Sequence, residues 1–559
     1  MSSVHRSALE GKPVEIRLCG GSGCVALGAL DILDSMRSEA AHAGLDVIAN
    51  SRPGFVGCRG FCAQGPLVHF PELDLLYCRV TPDDVGEILE ETVGRGEAVE
   101  RLMYLDPLTG ARSRGVADNP FFANQERRVL ARCGVVDPED IEHAVALGAY
   151  EVLGAAIERL DGRRIIDLVK RSGLQERGGA GFPVGLKWAV VAEAEVGVKY
   201  VVGNGDSGDP GLCVDRTLLE GDPHSVIEGM VIAALAVGAT TGRLFLRSDH
   251  GIGVARAERA LAQARRRAYL GRAILGSDLD FEIEICENAG ASMGGEETAM
   301  LNALEGRRAV ARPRPPFPAV SGLWGRPTLI NTLETLANIP AIVGAGESED
   351  PCEVGHTKVV GLSGRVARPG LAEVPLGTTV GEIVREIAGV RDGDELRGVH
   401  LGGPGGATLG PDQFDSPVDF SSLRSQGVSL GSGGMVVLGA EDCPVALARY
   451  LVATSARESC GTCPPCRVGT TVMLNLLDRI DSGAGDEGDL DRLERLAGHI
   501  RRTSLCEVGR GVSASVLASL QNFRATYESH ISEGNCPAVE TRKACRPLPV
   551  SGMVKDDDH

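Results

Sequence analysis

Hydrophobic and polar positions alternate along residues 14–18 (VEIRL), and this period of two predicts a short strand. Residues 25–43 change to helical spacing, with Leu27, Leu30, Ile32 and Leu33 supplying most of an apolar face. Apolar runs at 46–50, 67–70 and 75–80 predict three more strands. A helix is then expected from about Thr81, with Pro82 in its first turn, where a missing N–H costs nothing. The order β-α-β-β-β-α describes one small α/β domain, assigned to residues 1–108. Residues 109–125 are polar and punctuated by Gly and Pro, and read as a linker.

Helical patterns follow at 138–160 and 162–172, then a Gly-rich turn at 177–185 and a strand at 199–204. Strands and helices alternate to about residue 345, the pattern of an α/β domain with a mostly parallel sheet. From 346 to 440 the chain is rich in Gly and Val, with short strands and one helix at 380–387, as in a small β-grasp-like module. Helical periodicity dominates 441–535. Residues 536–559 read as a tail, loose from Pro547 onward.

The chain has 559 residues, more than one hydrophobic core usually spans, so several domains are expected. A net charge of −19 argues against binding to nucleic-acid backbones. The longest apolar candidate for a membrane span, 226–239, is too short and contains Glu228. The first dozen residues lack the apolar stretch of a secretory signal, so a reducing cytoplasm is the expected compartment. The 16 cysteines then point to metal or redox work rather than disulfides. Cys78, Cys133, Cys213, Cys286, Cys352 and Cys443 stand alone and read as small buried hydrophobes.

Two quartets remain. Cys19 and Cys24 face Cys58 and Cys62 across a gap, and four such thiolates can hold a [2Fe–2S] rhombus. A four-cysteine zinc site is the alternative. Cys460, Cys463 and Cys466 recur at a period of three, with Cys506 far downstream, a spacing suited to one [4Fe–4S] cubane. Near the C-terminus, Cys536 and Cys545 follow His530. Such a group can hold zinc, and a tail with incidental cysteines is the other reading.

Gly203 to Gly208 matches G-x-G-x-x-G and follows a strand, yet Asp209-Pro210-Gly211 comes where a helix should open. Asp206 would also face phosphates with a like charge, so a Rossmann fingerprint is rejected. The segment 177–188 (RGGAGFPVGLKW) is a better ligand loop. Its glycines admit a flat ring or a phosphate, Lys187 brings charge, and Phe182 can stack.

Together, RGGAGFPVGLKW (177–188), GNGDSGDPG (203–211), GGEETAMLNALEGRR (294–308), RPPFPAVSGLWGRPTLINTLETLANIP (314–340) and ESCGTCPPCRVGT (458–470) carry a family resemblance. The chain resembles the NADH-oxidising flavoprotein subunit of respiratory complex I, and the diaphorase subunits of NAD-linked hydrogenases and formate dehydrogenases. The resemblance runs from about residue 10 to 537. It implies a thioredoxin-like [2Fe–2S] ferredoxin domain (1–108), a Rossmann-like FMN domain (109–345), an SLBB-like β-grasp domain (346–440) and a helical [4Fe–4S] bundle (441–535).

By the same resemblance, FMN is expected against Lys187, Asn204, Asp206, Glu296 and Asn331, with Gly178, Gly179 and Gly181 as further cofactor-binding residues and Arg314 in the nucleotide pocket. NAD(P) is expected over the flavin near Phe182, Glu297 and Phe317. The implied partners are other redox subunits of a soluble complex: a ferredoxin-like small subunit and a catalytic reductase or dehydrogenase subunit. A hydride carries two electrons and each cluster accepts one, so FMN converts between the two regimes.

The sequence departs from the family at several positions. The glycine before Arg177 is Glu176, an acid is lost at Ser207, and a tyrosine and a cysteine are Ser292 and Gly294. A lysine is Arg314 and an asparagine is Thr332. A less negative pocket predicts relaxed choice between NADH and NADPH. These changes also define the alternative function, an electron relay with an altered nucleotide site.

Overall fold

Alternate burial along β1 (Val14–Leu18) seats Val14, Ile16 and Leu18 in a core and leaves Glu15 and Arg17 at the surface. The computed structural model describes residues 14–43, 47–49, 55–195, 197–209, 212–289, 292–346, 355–390, 395–534 and 536. Cys352, Cys545, the first dozen residues and the tail from Pro547 lie outside them.

In the first unit, β1 pairs in parallel with β2 (Val47–Ala49) and antiparallel with β3 (Val68–Phe70), which pairs with β4 (Leu75–Tyr77). The helix expected at 25–43 is two helices, Ser22–Ala26 and Ala29–Ala43. Gly28, at φ +94°, breaks the period between them. The apolar count restarts there, so Ala29, Ile32, Leu33, Met36 and Ala40 are buried while Leu27 and Leu30 face out.

The segment 109–125 is a packed structure rather than a tether. A ribbon of β5 (Tyr104–Leu105) and β6 (Arg112–Ser113) leads into a short helix, Pro120–Ala123. Phe121 stacks on Phe61 with ring centroids 4.4 Å apart, and both are buried. Asp106 is held by Arg368 through two hydrogen bonds of 3.2 and 2.9 Å. One continuous core therefore joins this unit to the sheet at 357–439.

The second unit has four parallel strands: β7 (Tyr200–Gly205), β8 (Thr241–Arg247), β9 (Glu282–Asn288) and β10 (Thr328–Thr332), in the order β10-β7-β8-β9. The buried helices Pro223–Val237 and Leu333–Ala345 pack against this sheet. The chain reverses its winding between β10 and β7, so a crevice opens beyond their C-terminal ends, the usual ligand position in such sheets. Thr332 pairs with Asn204 there. β7 is followed by a loop, and the next helix begins at Val214, in agreement with rejecting the dinucleotide fingerprint. The helix expected over 138–160 is interrupted at 147–150, where Gly148 and Tyr150 have positive φ.

The third unit is a mixed five-stranded sheet in the order β12-β11-β15-β13-β14. Its strands are β11 (Thr357–Gly364), β12 (Gly370–Pro375), β13 (Leu396–Leu401), β14 (Ala407–Leu409) and β15 (Gly434–Gly439). The helices Pro444–Glu458, Gly469–Asp481, Glu487–Thr503, Glu507–Asn522 and Arg524–Ser532 then pack around Val452, Met473, Leu477, Leu493 and Val516. The whole is a mixed α/β chain with a helical C-terminal region. Among the described residues no helix is long and apolar enough to cross a membrane.

Candidate functional site

A cleft of about 910 Å³ opens at the crevice beyond β7 and β10. Of the residues expected from sequence, Gly178, Gly179, Asn204, Asp206, Glu296, Arg314 and Phe317 line it. Asn204 donates to the Gly295 carbonyl at 3.0 Å and accepts from the Asp206 N–H at 3.2 Å, which fixes the loop after β7. Asn288 donates to Asp206 Oδ2 at 2.6 Å, whereas buried Oδ1 has no hydrogen-bond partner. Burial pushes the Asp206 carboxyl up to about 7. Asp215 and Asp209 follow for the same reason, to about 7 and about 6.

Glu296 caps the helix Glu297–Leu304 by accepting from the N–H groups of Thr298 and Ala299. Arg314 pairs with Glu297, and its other nitrogen lies 3.7 Å from Glu296. Its guanidinium is therefore shared by two carboxylates, which weakens the case for Arg314 as a fork for a nucleotide phosphate. A Cβ at Gly294 would lie 2.3 Å from Asp206 Oδ2, so a side chain there would displace the Asp206 carboxylate.

The other expected residues lie elsewhere. Lys187 and Asn331 stand behind the cleft wall, where both bind Glu176. Gly181 packs its backbone against Phe420. Phe182 is half exposed. Sequence reasoning missed the residues that the third unit and the helices bring in, such as Arg424, Ser432, Arg501 and Glu507. No local spacing marks them, because they reach the cleft only through domain packing. Ser432 donates its N–H to Asp209 at 2.7 Å and its hydroxyl contacts Ser207 at 2.8 Å.

Cys460 and Cys463 lie on the loop after the helix Pro444–Glu458, Cys466 lies in the short helix Pro464–Arg467, and Cys506 caps the helix Glu507–Asn522. The Arg308 guanidinium donates to the Cys460 carbonyl at 3.1 Å. Burial opposes ionisation of Cys460, but Thr462, backbone N–H groups and Arg308 bring its thiol below the ordinary value. Cys506 shares an apolar cluster with Ala299 of the Glu297 helix, and Glu507 and Val508 line the cleft.

In the first unit, Cys19, Cys24 and Cys58 are buried beside Cys62, with the sulfurs of Cys58 and Cys62 3.7 Å apart. A Cβ at Gly21 would lie 2.7 Å from Cys58 Cβ, so this close approach requires glycine. The Cys19 thiol and burial raise the pKa of Cys58, and a bound cation would offset the charge of clustered thiolates. Gly57 of this unit touches the backbone of Gly221, and the Ser22 N–H donates to Glu220 at 2.8 Å. The suggested zinc group gains a different member: Cys443, His530 and Cys536 bring their ligand atoms within 4.8 Å of one another. Cys443, expected as an isolated hydrophobe, is the addition.

Residues 169–341 match the Nuo51 FMN-binding domain, and residues 446–530 match the NADH-ubiquinone oxidoreductase-F iron-sulfur binding region. The second F-type subunit of the NADH-quinone oxidoreductases of Rhizobium meliloti is 42% identical over 418 residues, 73% of this chain and 98% of that one. The chain belongs to the F-type subunit family of NADH-quinone oxidoreductases. The NADP-reducing hydrogenase subunit HndC of Solidesulfovibrio fructosivorans is 41% identical over 423 residues, covering 74% of this chain and 85% of that one. A crystal structure of an NAD+-reducing [NiFe]-hydrogenase in the H2-reduced state superposes with a TM-score of 0.65 at 26% identity, covering 96% of this chain and 88% of that one.

For a chain of this family, FMN and a [4Fe–4S] cluster are the resident groups of the two matched regions. The cleft suits a flavin: Gly178 and Gly179 leave a wall free of side chains, and Asp206 Oδ1 is a buried acceptor without a hydrogen bond. The four sulfurs of the second quartet are the donor set that a cubane takes.

Proposed function

We propose that this chain takes a hydride from, or gives one to, NAD(P)(H) and exchanges single electrons with partner redox subunits of a multi-subunit complex. One observation carries the reading: the flavin cleft and the second cysteine quartet share a wall. The Glu297 helix places Ala299 against Cys506, while Glu296, at its N-terminus, and Glu507, next to Cys506, line the cleft. FMN, when bound, accepts electrons as a pair and releases them singly.

In this reading Asn204 and Asp206 orient the flavin, and Gly178 and Gly179 admit it. Phe317, with Glu297 held on the cleft-lining Arg314, receives the nucleotide. Glu297 also restrains Arg314. Cys460, Cys463, Cys466 and Cys506 hold the [4Fe–4S] cluster, and Cys19, Cys24, Cys58 and Cys62 hold a [2Fe–2S] cluster. The four units then correspond to a thioredoxin-like ferredoxin, a Rossmann-like FMN domain, an SLBB-like β-grasp domain and a cluster-bearing helical bundle.

Anaerobic addition of NADH, and separately of NADPH, to the full chain tests this. Bleaching of the flavin absorption followed by reduction of the clusters is expected. A flavin that stays oxidised with both nucleotides would reduce the chain to a relay.

A further inference from the structure

Five donors converge on the Glu176 carboxylate. Oε1 accepts from the Thr332 N–H at 2.9 Å, the Thr332 hydroxyl at 3.0 Å and the Thr335 hydroxyl at 2.7 Å. Oε2 accepts from Lys187 Nζ at 3.0 Å and Asn331 Nδ2 at 2.7 Å. Thr332 is the N-cap of the 13-residue helix Leu333–Ala345. The carboxylate thus lies at the end of a long helix, where unpaired N–H groups and the helix dipole favour an anion. An ammonium, an amide, a peptide N–H and two hydroxyls together are the donor chemistry of a phosphate cradle.

The cradle adjoins the flavin cleft. Thr332 and Gly178 line the cleft, and a Cβ on Gly178 would lie 2.9 Å from Thr332 Cγ2. Lys187 and Asn331 both donate to Glu176. Glu176 is fixed in place: it is 7% exposed, and its departure would leave the buried Asn331 amide N–H without this acceptor and Lys187 with only the Ile330 carbonyl.

We propose that Glu176 is a resident anion that takes the place a flavin phosphate would claim, so that the cleft discriminates little between FMN and riboflavin. The inference rests on the reading that the cleft binds a flavin. A phosphate entering the cradle would meet a carboxylate of like charge, which opposes its ionised form. The rest of a flavin is unaffected, because Asn204, Asp206 and the glycine wall do not depend on Glu176. FMN therefore gains little from its phosphate over riboflavin.

The test uses the full chain with its clusters intact and its flavin removed. FMN and riboflavin are titrated separately, and binding is read from the quenching of flavin fluorescence. Wild-type dissociation constants for the two should agree within about tenfold, and Glu176→Gly should tighten FMN by at least about tenfold while leaving riboflavin unchanged. Glu176→Gln keeps the shape and removes the charge, so it should shift the ratio toward FMN by less. Retained cluster absorption shows that each variant is folded, and if Glu176→Gly fails to fold, Glu176→Gln decides. A ratio of affinities that the folded variants leave unchanged overturns the proposal, and places any phosphate elsewhere in the cleft, near Arg501 or Arg510. Failure of wild type and variants to bind either flavin would overturn the flavin reading of the cleft, and the proposal with it.

Discussion

At the scale of single residues, Asp206 is the most informative group in the cleft. Its carboxyl is raised to about 7 by burial, while Asn288 and, at 3.7 Å, Arg247 pull it down. A folded value above the ordinary 3.8 means that its contribution to stability is complete below about 3.8 and is lost as pH rises through about 7. The flavin-free chain should therefore melt at progressively lower temperature from about pH 5 to 7 and level off above that, and Asp206→Asn should flatten that slope. Asp215, raised to about 7, leaves a residual slope in the variant. An unchanged slope in a thermal shift series would show that Asp206 is ionised throughout. The residue itself was legible in the sequence, from its loop after a strand. Its surroundings were not, because Asn288 and Arg247 come from other strands.

At the scale of elements, one buried ion pair joins the third unit to the second. Lys358 of β11 donates to Glu334 of the Leu333–Ala345 helix at 2.6 Å, and the lysine side chain is fully buried. It also donates to the Ser432 carbonyl at 2.8 Å, and Glu334 accepts from the Val359 N–H at 2.8 Å. Removing one partner strands the other charge away from water. Lys358→Ala should thus cost about 3–5 kcal/mol in denaturant unfolding, and a cost below about 1 kcal/mol would mean that water reaches Glu334. Neither residue stands out in the sequence, since a lone Lys in a strand reads as a surface position.

The polar segment at 109–125 misled for a related reason. Its composition is that of a loop, but Phe121 and Phe122 fold back on Phe61. A fragment ending near residue 105 exposes the Phe61 face and should aggregate more than one ending near residue 126, which keeps Phe121 and Phe122 on Phe61. Size-exclusion chromatography of the two fragments compares them directly. The helices at 29–43 and 162–171 and the parallel sheet were readable, because period and alternation are local signals. The breaks at Gly28 and Gly148 were not, because a positive φ leaves no trace in hydrophobic spacing.

Across the whole molecule, the proposed function makes the cleft and the second quartet one conductor. Cys463→Ala should lower iron by about four atoms per chain and abolish electron delivery to an acceptor protein, while leaving flavin reduction by nucleotide in place. Iron analysis beside anaerobic absorption spectra gives both readings. Intact iron content in the variant would remove Cys463 from the ligand set.

The seam between the first two units has a further consequence, for the order of manufacture. Gly57 meets Gly221 backbone to backbone, Ser22 is tied to Glu220, and three sulfurs of the first quartet are buried beneath. A protein that delivers iron needs open thiols, and in the folded chain these three are buried. We expect cluster insertion to precede closure, while the first hundred residues have left the ribosome and the Val214–Gly221 helix is still unmade. Iron-free chain folded in full should then resist loading with iron and sulfide, and accept it once mild urea parts the seam. Equal loading rates with and without urea would show that the seam opens freely. If it does not, the time between synthesis of residue 62 and residue 221 is the interval in which this chain must receive its first metal.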